Sequence, residues 1–366
     1  MTHAIDVIHP DKPANALKTL WITRAPGPTA TGLAYRLGWL SQTFGAEGIG
    51  IECLQESSTE LRRHHYDHRL PTMIREGGNI QAIGARGQGE ATKLVGLTWV
   101  DEAQAIITAP GRNIRSPHDL KGLRLALPAW LDHPVATHQK ASSIARGMSL
   151  QGYRGVLASA GLTWDDVKLV EVDGSYAGRA FEAARGAGQL AGLWSFHALL
   201  EGKVDALYVK GAAAIDAAGR FGLVSAIAID DIADPRFRIN NGTPRPITVH
   251  ENLLEHHYDT VVTFLALTLK ASDWATDNIT DMHKILEAET RASAAAVTQA
   301  YSGRALQGLR PTLDDQRLDF LDRQKTFLWI HGFIERDFDI KGWIDPSPLA
   351  DAQKWLAKEA RNLTGK

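Results

Sequence analysis

The chain has 366 residues, 44% of them hydrophobic and 22% charged, which is the composition of an ordinary globular protein too long for one small core. A formal net charge of -2 gives no electrostatic ground for binding nucleic acid, and the single cysteine, Cys53, excludes an intramolecular disulfide framework and any cysteine-rich metal or iron–sulfur site. The amino terminus, Met1-Thr2-His3-Ala4-Ile5-Asp6-Val7, has neither a basic region nor an apolar run, and no stretch approaches the length of a membrane span, so a cytoplasmic protein without a membrane partner is expected.

Short apolar runs alternate with longer helical patterns, the grammar of an α/β fold. Strands are expected at Thr19–Ile22, Gly50–Leu54, Leu94–Trp99, Ala105–Thr108, Leu123–Leu127, Lys168–Val172, Ala206–Val209 and Leu223–Ile229. Helical spacing marks Ala30–Phe44, Gly178–Ala187 and Tyr258–Ala275. Cys53 falls in an alternating strand pattern and reads as a small buried hydrophobe. After Thr248 the strand signals stop, and the tail to Lys366 reads as mostly helical. His256-His257 stands at the start of a helical pattern, as a solvated pair.

The stretch His64-His65-Tyr66-Asp67-His68-Arg69-Leu70-Pro71-Thr72-Met73-Ile74-Arg75-Glu76-Gly77-Gly78 is the richest in chemistry. Read as a loop, it brings together a titratable imidazole, a permanent cation and a close-approach backbone turn, the parts needed to hold an oxyanion and move a proton. His64 and His68 would share a helix face with Asp67 as a third metal ligand, but Pro71 and the lack of helical periodicity favour a loop, and no metal is expected. Gly84-Ala85-Arg86-Gly87-Gln88-Gly89 reads as a loose glycine-rich loop without the strand–loop–helix setting or the downstream acid of a dinucleotide site. Trp21, Trp99 and Trp130 lie near expected strand ends, where core packing is the default and an aromatic pocket wall the alternative. Lys210 follows the strand Ala206–Val209; a lysine there is commonly solvated, yet this one can reach a cleft.

Two passages carry a resemblance. Ser116-Pro117-His118-Asp119-Leu120-Lys121-Gly122-Leu123-Arg124-Leu125-Ala126 sets a capped turn before a strand, and Glu201-Gly202-Lys203-Val204-Asp205-Ala206-Leu207-Tyr208-Val209 leaves a helix through a glycine turn into another. With Gly161–Val170 between them, they resemble the periplasmic binding proteins of the sulfonate- and thiamine-precursor-binding branch. The resemblance implies a two-lobed α/β fold of the periplasmic binding protein-like (type II) class with a helical C-terminal region. Residues 1–112 and 226–366 would form one lobe and 113–225 the other, with a ligand between them where strand carboxyl ends and helix amino termini meet.

Arg75 ten positions after His65, followed by Gly77-Gly78, resembles the active-site loop of the 2'-hydroxybiphenyl-2-sulfinate desulfinases, which have this fold and use no cofactor. The resemblance gives His65 the place of the catalytic-site histidine, Arg75 that of the arginine holding the sulfinate, and Gly77 and Gly78 a backbone N–H for the same anion. The family's essential cysteine lies in a Cys-Pro-x-Pro turn after the first strand. Here that turn is Ala25-Pro26-Gly27-Pro28, so Ala25 lines the substrate site without a thiol. The resemblance then implies a cofactor-independent lyase acting on a phenolic diaryl substrate; a lignin-like dimer is a specific version that rests on the chemistry of phenols rather than on a motif. Carbon–carbon cleavage with loss of formaldehyde or carbon dioxide is favoured over loss of sulfite. His65 would be the general acid or base and Arg75 the anion clamp, a donor worth roughly 3–4 kcal/mol in a transition state. Tyr66 and Lys210 would bind the substrate, and a monomer or a dimer would suit the fold. The alternatives are a desulfinase inactivated at Ala25 and a solute-binding protein for a sulfonate or aromatic acid. The related thiamine-pyrimidine synthase type needs more cysteines than this chain has.

Overall fold

The computed structural model describes residues 16–25, 27–131, 140–173, 194–301 and 303–364. Among the described residues, ten strands form two five-stranded sheets. The first sheet has the order β2-β1-β3-β10-β4, with β1 (Thr19–Thr23), β2 (Gly50–Cys53), β3 (Met73–Glu76) and β4 (Thr92–Thr98) running one way and β10 (Arg245–His250) antiparallel between β3 and β4. The second has the order β7-β6-β8-β5-β9. There β6 (Arg124–Pro128) lies parallel to β7 (Lys168–Val172) and β8 (Ala206–Val209), whereas β5 (Ala105–Thr108) is antiparallel to β8 and β9 (Val224–Ala228). The chain passes between the sheets twice, between β4 and β5 and again between β9 and β10. Ala105–Thr108, which a boundary at residue 113 leaves in the first lobe, is hydrogen-bonded into the second sheet.

The eight strands expected from sequence are present within two residues at each end. β3 and β10 are additional, and both pass through the middle of the first sheet. Every residue of β3 is buried, so it has no polar alternation to read, and it is short and flanked by Pro71 and Gly77-Gly78. β10 contains Pro246, a residue that argues against a central strand; the register shifts between Ile247 and Thr248, where the ladder is irregular.

Three local expectations change. The helix expected over 30–44 is two helices, Ala30–Arg36 and Trp39–Ala46, broken where Gly38 takes φ 76. The His64–Gly78 stretch is a four-residue helix, His64–Asp67, a turn through His68 at φ 55, and then β3, so Arg75 projects from a strand. Gly84 and Gly87 belong to the helix Asn79–Gly87, which removes the glycine-rich loop. The expected helix Gly178–Ala187 lies outside the described residues.

The tail is helical, as expected: Tyr258–Asp277, Ile279–Thr290, Ala294–Ala300, Asp315–Ile330 and Ser347–Thr364. Tyr258–Asp277 buries Val261, Phe264, Leu265 and Leu269 against the Ala30–Arg36 helix and β1, in a core shared with Leu20, Ile22 and Leu33. A second core surrounds the other sheet, with Ile106, Leu125, Tyr153 and Leu207 at its centre. This second core also takes in Ile80, Ile83, Leu94 and Leu97 of the first lobe, so apolar packing as well as the polar groups below joins the two lobes. No helix among the described residues is long and apolar enough to cross a membrane.

Candidate functional site

The carboxyl ends of β1, β3 and β4 and the start of β10 lie together at one end of the first sheet, and Lys210, past the end of β8, meets them through Glu102 and Gly242; this junction, here called the crevice, is where open α/β sheets bind ligands. Glu76, the last residue of β3, is fully buried and ties this rim together. Its carboxylate accepts from the Thr31 N–H at 2.8 Å and the Thr98 hydroxyl at 3.0 Å, and its carbonyl accepts from the Thr23 hydroxyl at 3.0 Å.

Arg75 is paired in the sheet with Thr23 on one side and Thr248 on the other, and its side chain is fully buried. Nη1 donates to the Gly78 carbonyl at 3.1 Å, whereas Nε and Nη2 have no partner among the described residues. Burial and the neighbouring Arg245 push the guanidinium down to about 9, opposed by the Tyr66 hydroxyl rather than by a carboxylate. It is a cation at neutral pH, and a buried cation is normally paired.

His65 lies beside it on the short helix. The ring meets Tyr66 edge-on, with centroids 5.2 Å apart. Nε2 is 3.4 Å from the Gln81 side-chain nitrogen, and Nδ1 is buried without a partner among the described residues. Burial, then the charge of Arg75, holds the imidazole well below 6.5, so the ring is neutral at pH 7 and not poised at its ordinary midpoint. Tyr66 is buried, and burial pushes its hydroxyl up to about 12, which keeps it a proton donor. His64 is turned away, its Nδ1 on Asp67 at 2.7 Å, and no group of three or more metal-ligating side chains occurs among the described residues.

Gly78 precedes the helix Asn79–Gly87, and its Cα faces Asn241 so closely that a Cβ would lie 2.4 Å from the amide nitrogen. Asn241 Oδ1 accepts from the Ile80 N–H at 2.9 Å, which fixes the return loop from the second lobe against the start of that helix. Gly77 donates its N–H to Pro246 at 3.3 Å. Ala25, half-buried just past β1, accepts from the Gly27 N–H at 2.9 Å and offers no nucleophile. Cys53 is buried on β2, and burial pushes its thiol up, so it is neutral and unreactive.

Lys210, at the carboxyl end of β8, is only 3% exposed rather than solvated. Burial pushes its amine down to about 8 against the pull of Asp230 and Asp101. Glu102 and Arg245, neither singled out by sequence, form a buried ion pair beside it. The signal that could have found them is the turn chemistry of Asn240-Asn241-Gly242-Thr243-Pro244, which marks a return crossing between lobes. Trp99 and Trp130 pack separately, on Phe320 and Phe333, and do not form a common wall.

Among solved structures, the desulfurization enzyme DSZB superposes with a TM-score of 0.67 at 22% identity, over 92% of this chain and 99% of that one. A DSZB variant in complex with biphenyl-2-sulfinic acid gives 0.66 at 22% identity with the same coverage. The periplasmic aliphatic sulphonate binding protein SsuA from Escherichia coli gives 0.63 at 14% identity, over 90% of this chain and 92% of that one. The fold is that of the two-lobed periplasmic binding proteins. No family model matches the sequence, and no curated protein does. At these identities the likeness fixes architecture, so chemistry has to be read from the crevice itself.

Proposed function

We propose that the crevice binds an aromatic substrate through an acidic group on Arg75 and that His65 moves a proton in a cofactor-independent lyase reaction. The observation that carries this reading is Arg75: a fully buried guanidinium with two unpartnered nitrogen positions and no carboxylate to balance it. A carboxylate, sulfinate or sulfonate would supply the missing charge and take two parallel hydrogen bonds. That the relatives in structure include a protein solved with biphenyl-2-sulfinic acid and a sulphonate binding protein supports an acid of this type.

The catalytic part rests on His65. A neutral imidazole carries one N–H and one lone pair, so it can hand a proton to a carbon from which a fragment departs, or take one from a phenol. A phenol on the substrate supplies the electrons: as its O–H ionises, a ring-linked carbon–carbon or carbon–sulfur bond can break, expelling formaldehyde, carbon dioxide or sulfite. Tyr66, kept protonated, and the Gly78 N–H would stabilise the developing negative charge.

The test is incubation of the protein, without added cofactor, with phenolic diaryl acids, following the expelled fragment by mass spectrometry. Product from the parent protein and none from His65→Ala is the expected result. Tight binding without turnover across the panel would favour the second reading, a ligand carrier, which the sulphonate-binding architecture supports and for which Arg75 alone suffices.

A further inference from the structure

Gln81 lies in the first turn of the helix Asn79–Gly87, which packs against the short helix carrying His65. It is 5% exposed, and a glutamine at that depth ordinarily has both ends of its amide satisfied. Here one end is engaged: the side-chain nitrogen stands 3.4 Å from His65 Nε2, whereas Oε1 is buried without a partner among the described residues. His65 mirrors it, with Nε2 on Gln81 and Nδ1 buried and unpartnered. A pair that served packing alone would cost free energy at both far atoms, a cost that apolar side chains of the same size would avoid.

The contact decides where the ring proton sits. An amide nitrogen only donates, so it meets Nε2 as a lone pair, and in a neutral ring the proton is then on Nδ1. Burial and the charge of Arg75 keep the ring neutral. Turned over, the amide would put Oε1 on an Nε2–H and leave its own N–H groups buried without an acceptor, a rarer condition than a carbonyl without a donor. In the observed arrangement Nδ1–H joins Arg75 Nε and Nη2 as a third buried donor without an acceptor among the described residues. Arg75 is close enough for its charge to act on the ring. Tyr66 meets the imidazole edge-on, with centroids 5.2 Å apart, which limits the ring's freedom to rotate.

We propose that Gln81 is a positioning residue that holds His65 as the Nδ1–H tautomer, so that the ring meets a group bound on Arg75 as a hydrogen-bond donor. The target of that donor rests on the Arg75 reading above, whereas the tautomer does not. A neutral imidazole in this form polarises an oxygen without giving up its proton, and a donor fixed in advance needs no reorganisation as negative charge develops. The same pairing sets a condition on any proton that His65 takes. To accept one at Nδ1, the ring must first carry its own proton on Nε2, and Gln81 can receive that N–H only after its amide turns its carbonyl towards the ring. Donor and base are therefore two settings of one Gln81–His65 pair, and the amide selects between them.

The test reads the tautomer directly. In the full chain labelled with nitrogen-15 in its histidine rings, long-range proton–nitrogen correlation spectra distinguish Nδ1–H from Nε2–H, and His65→Gln identifies the His65 signals. The parent should show Nδ1–H at a pH of about 7. Gln81→Glu sets an acceptor against the ring, so the proton should move to Nε2 and the imidazole midpoint should rise by at least about one pH unit. Gln81→Met, which has no polar end, should populate both forms; if it does not fold, the parent and Gln81→Glu decide. An Nε2–H signal in the parent, or an Nδ1–H form that persists undiminished in the folded variants, overturns the role of Gln81. Benzenesulfinate should shift the Nδ1–H signal of the parent and leave that of Arg75→Met in place. No shift in the parent, or an equal shift in Arg75→Met, overturns the Arg75 reading and the donor's target with it, while the tautomer stays with Gln81.

Discussion

Replacing Arg75 with methionine should make the ligand-free protein more stable and deaf to aromatic acids. The fall of the guanidinium from 12.5 to about 9 corresponds to a penalty of roughly 5 kcal/mol on its charged form. Arg75 is fully buried, so solvent does not screen the penalty away. Against this, the variant loses the charged hydrogen bond to Gly78 O, about 2 kcal/mol, and leaves a small void where the guanidinium was, about 1 kcal/mol. The net expectation is a gain of about 1–2 kcal/mol, or roughly 1–3 °C in Tm for a chain of this length. The penalty is complete below a pH of about 9 and fades as pH rises beyond it, where the folded guanidinium loses its proton before the unfolded one, so the gain should be level at neutral and mildly acidic pH. Benzenesulfinate at about 100 times its Kd should add about 2.7 kcal/mol to the parent protein and nothing to the variant. Scanning calorimetry with and without benzenesulfinate reads both effects. A variant less stable than the parent, yet still stabilised by the sulfinate, would refute the reasoning, because the guanidinium would then be satisfied inside the protein and the acid bound elsewhere.

Five further outcomes follow from the same crevice. His65 is held neutral well below 6.5, so any acid limb of turnover should lie below that value, and a limb centred at or above 6.5 would contradict its environment. His65→Gln should also soften the loss of stability as pH falls through 6.5, since only the unfolded imidazole then gains a proton readily; urea titrations across that range measure it. Gly78→Ala would set a Cβ 2.4 Å from the Asn241 amide and dislodge its bond to Ile80, at a cost of about 1–3 kcal/mol by chemical denaturation. Glu102→Gln strips the buried Arg245 of its ion-pair partner and should cost about 3–5 kcal/mol in the same assay. Burial and Asp101 push Asp230 up to about 7, so its ionisation costs stability as pH rises towards that value; Asp230→Asn should be at least as stable as the parent at a pH of about 8, with no gain at a pH of about 4.

The fold was legible where a strand's run was not broken by a proline or by a buried pair of charges; every residue of β5 and of β8 is buried, and both were still readable. β5, β7 and β8 begin and end where their apolar runs do, and the turn at Gly202 and the Asp119 cap on Arg115 and Ser116 lie where their residue types place them. It was illegible at the centre of the first sheet. Half of β3 is the charged pair Arg75-Glu76 and β10 contains a proline, so neither has the signature of a strand, and both are defined by their neighbours. The candidate site divides along the same line. His65, Tyr66, Arg75 and Gly78 are adjacent in sequence and could be read together. Glu102, Asn241 and Arg245 reach the crevice only because the chain crosses between the sheets twice, a contact that no local pattern contains. The depth of Lys210 belongs to the same class, because a lysine at a strand end looks solvated until another lobe covers it.

The chemical consequence of Ala25 follows from what surrounds it. Ala25 follows β1, whose last residue, Thr23, pairs with Arg75, and cations close to a thiolate activate it as a nucleophile. Alanine removes the nucleophile but leaves the positive field, and the remaining thiol, Cys53, is held neutral by burial on β2. Among the described groups of the crevice, Tyr66 is fixed as a donor, His65 is fixed neutral, and the arginines are fixed as cations. None of these is an activated nucleophile, and all of them favour an anion forming close by. Under the lyase reading proposed above, such a site would lower the energy of a phenolate or carbanion and pass one proton, and the bond broken would be one whose electrons the substrate's own ring supplies.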